Sequence, residues 1–357
     1  MQQTLNKFGR WLAITLLLLP LSACAGDAPP APNSGLTAAQ TTGRLSTILS
    51  RGQLICGVSG EVPGFSFVDQ QGNYAGLDVD ICRAIAAALF NDPEAIEFRN
   101  LNAKERFTAL QTGEIDILSR NTTLTASRDT SIGLKFAPIV FYDGQGVMVR
   151  QNQGIQSLKD LGGKSICLQT GTTHEQNLTD QTRKLGIKFT PIVFEDVNTA
   201  FATYAEGRCD AISADRSALV SRRTLLPNPD QNLILPTLLS KEPLAPAVVK
   251  GDASWQNVVE WVIYATMEAE ELGLNAANLN QNLKSQDPTI RRFLGVEGNL
   301  GQGLGLSGDF AARIVKHVGN YGEIYDRNLG PKTPLNLDRG LNKLWIKGGL
   351  MYSPPFR

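Results

Sequence analysis

Apolar and polar positions divide the chain into three stretches of different character. Lys7 and Arg10 precede a nine-residue apolar run, Trp11–Leu19, and then Leu21-Ser22-Ala23-Cys24. The run is too short to span a bilayer but has the length of a signal-peptide h-region. Leu-Ser-Ala-Cys has the form of a bacterial lipobox, which predicts a leader over residues 1–23 and lipidation of Cys24. An ordinary secretory signal, with Cys24 incidental, is the alternative, and both place the mature chain outside the cytoplasm. Residues 24–43 are small and polar with Pro29, Pro30 and Pro32, the composition of a flexible tether. The third stretch begins near Arg44 with a short helix and an apolar strand, Leu54 to Val58. Turn residues Pro63, Gly64, Gly72 and Asn73 follow. Asp78 or Asp80 is then placed to cap a helix that carries Ile81, Cys82, Ile85 and Leu89 on one face. Strands and helices alternate from there, predicting an α/β fold with mostly parallel sheet covered on both sides.

Within this body one pattern occurs twice. Residues 107–121 read FTALQTGEIDILSRN and residues 201–215 read FATYAEGRCDAISAD. Phe107, Gly113, Asp116, Ser119 and Asn121 match Phe201, Gly207, Asp210, Ser213 and Asp215 in position. Glycine suits the left-handed residue after a helix, and the apolar residues that follow suit a short buried strand. The echo predicts two similar domains, each presenting a polar residue at the carboxyl end of a strand, where open α/β sheets bind ligands.

Composition narrows the function. The 357 residues hold 34 Lys+Arg and 34 Asp+Glu, and loss of residues 1–23 would leave 32 basic against 34 acidic. Neither balance gives the basic patch that nucleic-acid binding requires. His174 and His317 are the two histidines and are far apart, which argues against a histidine-built metal site; no cofactor motif is present either. Gly301, Gly303 and Gly305 lack the preceding strand of a phosphate loop and read as surface loop. Five cysteines are an odd number for an exported protein, and lipidation of Cys24 would leave four. Three pairings are then possible. Placement on neighbouring elements favours Cys56–Cys82 and Cys167–Cys209, each inside one domain; four reduced, buried thiols are the alternative.

Three segments carry candidate chemistry. Arg120-Asn121-Thr122-Thr123-Leu124-Thr125-Ala126-Ser127-Arg128 offers hydroxyls, an amide and a guanidinium fork suited to a carboxylate. Thr172 and Glu175 have capping-box spacing beside Thr173 and His174, and the helix start there presents free N–H groups that attract an anion. Asp215 could accept hydrogen bonds from an ammonium group or cap the next helix. Donors for an anion at one end and a carboxylate at the other match the charge pattern of a free α-amino acid.

The segments GLDVDICRAIAAALF, GEIDILSRNTTLTASRD, FYDGQGVMV, LQTGTT, GRCDAISADRSAL, SKEPLAP, VGNYGEIYDRNLG and RGLNKLWIKGGLMYSPPFR resemble the periplasmic solute-binding proteins of polar amino acid ABC transporters, especially the general L-amino-acid branch. The resemblance covers roughly residues 44–357. It implies two α/β lobes joined by a two-segment hinge, with lobe 1 formed by 44–143 and 244–357 and lobe 2 by 144–243. The crossings are expected near Tyr142–Gly146 and Leu239–Pro246. It implies that Arg128 and Thr173 hold an α-carboxylate, that Asn121, Thr123 and Asp215 hold an α-amino group, and that an aromatic such as Phe65 or Phe67 stacks on the ligand, although Val62 stands at the matching place. His174 borders the side-chain pocket on this reading, and Thr172 joins the set. A zwitterion would touch both lobes only when the cleft is shut, and the closed form would dock on a permease with its ATPase subunits. Within-lobe disulfides would leave such a hinge free. The tail aromatics Tyr321, Tyr325, Trp345 and Tyr352 are expected to pack on lobe 1. Two rivals use other residues: a cyclohexadienyl dehydratase-like enzyme with Glu61 as its acid, and a thiol hydrolase using Cys167 and His174.

Overall fold

The computed structural model describes residues 43–357, so the leader, Cys24 and nearly all of the tether lie outside the described residues. Two five-stranded sheets organise the body. The first runs in the order Ile96–Asn100, Leu54–Val58, Ile117–Leu118, Ala247–Val249 and Leu134–Phe136. The second runs Thr190–Phe194, Ser165–Gln169, Ala211–Asp215, Gln145–Arg150 and Asn232–Ile234. In each the first three strands are parallel and the fourth is antiparallel to both neighbours. Those fourth strands are the ones nearest the crossings between the lobes. The crossings themselves pair antiparallel, Phe141–Asp143 against Glu242–Leu244, with Asp143 opposite Glu242.

Strand alternation explains why both sheet faces are covered. Val147 and Val149 enter one apolar cluster with Ile166 and Leu168, while Met148 enters another with Cys167, Ile212, Phe201 and Tyr204. The first lobe has a larger core, because the helix Ala253–Glu271 buries Trp255, Val258, Val262 and Ile263 beneath later helices. Tyr321 and Tyr325 are fully buried there. Phe356 joins Trp261 and Phe293, each ring 5.1 Å away. Trp345 and Tyr352 are half exposed and pack edge-on to each other, with Trp345 Nε1 donating at 2.9 Å to Glu271 of the first-lobe helix Ala253–Glu271. Cys56 is bonded to Cys82 and Cys167 to Cys209, so the first bridge ties a strand to the following helix and the second ties a strand to the loop before Ala211–Asp215. Among the described residues no helix is long and apolar enough to cross a membrane.

The repeated pattern has a repeated structural role. Gly113 and Gly207 both take positive φ, 78° and 81°, after their helices. Asp116 accepts the backbone N–H of Ile55 at 2.7 Å, and Asp210 accepts that of Ser165 at 2.8 Å. Each aspartate thereby holds the start of the neighbouring central strand. The expected caps form differently. The helix Leu77–Phe90 is preceded by Gly76 without a side-chain cap, because Asp78 turns to the backbone N–H of Asn121 and Asp80 to Arg327 and Asn328.

Candidate functional site

The last residues of the two echoes meet between the lobes: Asn121 Nδ2 donates to Asp215 Oδ2 at 3.3 Å. His174 Nε2 lies 3.0 Å from Asp215 Oδ1, and all but a few per cent of Asp215 is buried. Arg128 fixes one nitrogen on the Thr123 carbonyl at 2.9 Å and reaches the Gly171 carbonyl of the other lobe at 3.4 Å. Arg106 reaches the same carbonyl at 3.3 Å, and both guanidiniums lie over the Phe107 ring. Gly171 has φ 74°, and a Cβ there would stand 2.7 Å from the Ala103 carbonyl of the first lobe. Glycine is therefore what lets the two backbones approach. Lys104 with Glu195, Asn198 with Glu61, and Ser221 with the Pro63 carbonyl add further ties across the same interface. The lobes are closed on each other.

Local backbone explains the placement. Thr125 caps the helix Ala126–Ser131 by accepting the Arg128 N–H, which fixes where the arginine starts. Asn121 adopts φ 31°, a conformation that costs energy outside glycine and that the Asp78 carboxylate holds by accepting the Asn121 N–H at 2.9 Å. The Thr172–Glu175 capping box does not form. Thr172 instead donates to the Gln169 carbonyl, and the helix His174–Lys184 begins after Thr173 without a side-chain cap. Asp215 stands at the cap position of the next helix but gives it no side-chain bond, its oxygens being used by His174 and Asn121. Phe65 is a correction as well: it is fully buried, edge-on to Phe141 at 5.1 Å, and shares the first-lobe core with Val62. A ring filling that core is not free to stack on a solute.

Burial dominates the electrostatics. It pushes Arg106 well below the usual guanidinium range, helped by Arg120 and Arg128. It brings Arg120 down to about 10 against the opposing pull of Glu61, Asp78 and Asp215, and it lowers Arg128 too. Among the acids, burial raises Asp78 to about 6 in spite of the Asn121 N–H and Arg120. Asp143 keeps some exposed surface, yet its carboxylate is enclosed by Gly144 and Ser217; desolvation and then the charge of Asp215 raise it to about 7. Several buried polar atoms here have no protein partner: Asn121 Oδ1, His174 Nδ1, Arg106 Nε and Gln145 Oε1.

These raised carboxyl values carry a sign. Protons bound more tightly in the folded state contribute stability that is complete below the ordinary carboxylate range and lost as pH rises through about 6 to 7. A cation placed beside Asp215 would favour the ionised form of Asp143 and expel its proton. Capture of an ammonium-bearing solute is therefore expected to release protons at pH 7 and to tighten from pH 6 to pH 8. Titration calorimetry in buffers of differing ionisation enthalpy measures both, and a flat affinity with no proton release would remove Asp143 from the site.

Three residues of this arrangement escape sequence reasoning: Arg106, Asp143 and Glu242. Glu242 is almost wholly buried and accepts from Thr123 at 2.5 Å, Thr173 at 2.9 Å, Asn177 at 2.7 Å and Ser240 at 2.5 Å. The signals were slight: Arg106 precedes the first phenylalanine of the echo, and Glu242 sits inside the second crossing. The rival chemistries fare differently. Cys167 is disulfide-bonded and has no thiolate to offer. Burial raises Glu61, and its carboxylate accepts from Asn198 across the interface. Among the described residues no group of three His, Cys, Asp or Glu side chains could hold a metal ion.

Two lobes with paired crossing strands and a polar cleft between them define a hinged binding protein. Residues 54–275 match the bacterial extracellular solute-binding proteins, family 3, and the chain belongs to that family. It is thus a binding protein and not an enzyme. Over 339 residues it is 48% identical to the general L-amino acid-binding periplasmic protein AapJ of Rhizobium johnstonii, covering 94% of this chain and 98% of that one. It is 46% identical to the glutamate/glutamine/aspartate/asparagine-binding protein BztA of Rhodobacter capsulatus, over 89% of this chain and 95% of that one. Among solved structures, a periplasmic binding protein from Brucella ovis with glutathione bound superposes with a TM-score of 0.87 at 48% identity, covering 89% of this chain and all of the other.

Proposed function

We propose that this chain captures free L-amino acids outside the cytoplasm by closing its lobes, and delivers them to the permease and ATPase subunits of an ABC transporter. The observation that carries the reading is the opposed pair: Arg128 from the first lobe reaches the Gly171 carbonyl of the second at 3.4 Å, while Asp215 from the second accepts from Asn121 of the first at 3.3 Å. A zwitterion that touches both favours the closed form because the open form offers it only one. Arg128 takes the carboxylate, and Asp215 with Asn121 takes the ammonium group. Thr172 and His174 line the second-lobe side, and the unpartnered Nδ1 of His174, with Oδ1 of Asn121 on the first-lobe side, is capacity that a polar solute would use. The names of the relatives from R. johnstonii and R. capsulatus support amino acids as the solutes.

On this reading lobe 1 comprises 44–143 with 244–357, lobe 2 comprises 144–243, and the paired strands between them form the hinge. The anchor is a lipid on Cys24, with residues 1–23 removed as a signal peptide, which holds the protein at a membrane surface facing the periplasm. A second reading, γ-glutamyl peptides as solutes, draws on the glutathione bound by the B. ovis relative. A γ-glutamyl group keeps a free α-amino acid head, so the same Arg128 and Asp215 contacts would serve it.

Titration calorimetry of the purified protein against the twenty common amino acids and glutathione decides between these. Tight binding of one or more amino acids, at micromolar constants corresponding to about 8 kcal/mol, is expected. No heat from any amino acid, with glutathione alone binding, would replace the first reading by the second. Heat from none would end both.

A further inference from the structure

Glu242 is a buried carboxylate to which capture of a zwitterion assigns no direct contact. It stands in the second crossing strand, opposite Asp143, and is 1% exposed. Each of its oxygens accepts two hydrogen bonds. Oε2 takes the hydroxyls of Thr123 and Thr173, and Oε1 takes Asn177 Nδ2 and Ser240 Oγ. These donors come from both lobes and from the crossing itself. With both oxygens so used, the carboxylate has little capacity left for a solute.

Its effect falls on its neighbours. A threonine hydroxyl has one proton, and once that proton is given to Glu242 the oxygen retains only lone pairs. Thr123 from the first lobe and Thr173 from the second are then acceptors where the lobes meet. An acceptor repels a carboxylate and welcomes an ammonium group. The resemblance implies that Thr173 serves the carboxylate end; with its hydroxyl proton on Glu242, the donor left for a carboxylate there is its backbone N–H. Glu242 and Asp215 place carboxylates where Arg128, Arg106 and Arg120 supply the facing positive charge.

We infer that Glu242 is a positioning residue that converts Thr123 and Thr173 into acceptors for the ammonium group, so that the cleft selects an L-amino acid over the 2-hydroxy acid of the same skeleton. This rests on the cleft holding an α-amino acid. A 2-hydroxy acid has one proton where the ammonium group has three, and it carries no charge at that end. It therefore satisfies one acceptor and leaves the others desolvated and unpaired.

The test is a ratio. The dissociation constants of the tightest-binding amino acid in the calorimetric panel, such as L-glutamate, and of its 2-hydroxy counterpart, (S)-2-hydroxyglutarate, are measured for the wild type and three variants. Glu242→Met frees both hydroxyl protons to turn toward the solute and should cut the discrimination tenfold or more, chiefly by weakening the amino acid. Glu242→Gln should cut it less, because its carbonyl can still take one pair of protons. Thr173→Val keeps the shape and leaves the Glu242 carboxylate its other three donors, so it carries the test should the Glu242 variants fail to fold. It should weaken the amino acid several-fold more than the hydroxy acid. If Thr173→Val weakens both ligands equally, its hydroxyl serves the carboxylate and the inference is overturned. An unchanged ratio in a folded Glu242 variant makes that residue a structural tie only and overturns it too. A wild type that binds no amino acid defeats the proposed function instead, so the two failures are distinguishable.

Discussion

Replacing Arg128 by Met is expected to weaken capture of an L-amino acid roughly 100-fold or more, about 3 kcal/mol, with the fold retained. The guanidinium is enclosed over Phe107, with one nitrogen fixed on the Thr123 carbonyl and another on the Gly171 carbonyl at the longer distance of 3.4 Å. The bond to Gly171 is the weaker, and a charged carboxylate outcompetes a neutral carbonyl for it. Arg128→Lys should restore little, because an ammonium is a point charge that cannot keep the Thr123 carbonyl and also present a parallel fork to a carboxylate. The helix that carries Arg128 is short and contributes few core residues, so thermal unfolding should shift only modestly. A dissociation constant within threefold of the wild type, in a variant of unchanged circular dichroism, would show that the solute's anion is held elsewhere.

The second large effect is expected at Asp215. Asp215→Asn keeps the side-chain outline and removes one negative charge from a site almost closed to water. Amino acid affinity should again fall about 100-fold, since an ammonium group loses its principal counter-charge in a region of low dielectric. The variant should also change the proton balance. Desolvation and the Asp215 charge together raise Asp143, so removing that charge returns Asp143 toward the ordinary carboxylate range. Proton release on binding at pH 7 should then shrink. Undiminished release in Asp215→Asn would mean that another group titrates. Undiminished affinity would sink the assignment of the ammonium end.

Much of the architecture is legible in the sequence because it depends on neighbours along the chain. The repeated Gly, Asp and terminal polar residue could be matched by eye, since a helix, its left-handed exit and the next strand lie within fifteen residues. The structure adds what each aspartate does, which is to hold the backbone of a strand far away in sequence, at Ile55 or at Ser165. The cysteines were legible for a similar reason: strand and following helix put Cys56 near Cys82. Spacing misled at the helix starts. Thr172 and Glu175 satisfy the capping pattern, yet Thr172 finds a nearer acceptor in Gln169. Glu242 was invisible because its partners Thr123 and Thr173 come from other parts of the chain, 119 and 69 residues away. No local periodicity encodes such a meeting. Phe65 misled because an aromatic in a loop reads alike whether it fills a core or lines a cleft.

The route of the chain through the two lobes also sets an order of assembly. All five strands of the second sheet come from one unbroken run between Gln145 and Ile234. The first sheet receives its fourth strand only at Ala247–Val249, and its helical layer needs Phe310, Tyr321 and Phe356 from later still. Contacts so distant in sequence form slowly. Once the chain emerges outside the cytoplasm, the inner unit can therefore finish while the outer one still has Val258 and Ile263 uncovered, a sticky intermediate that lasts until the later helices dock.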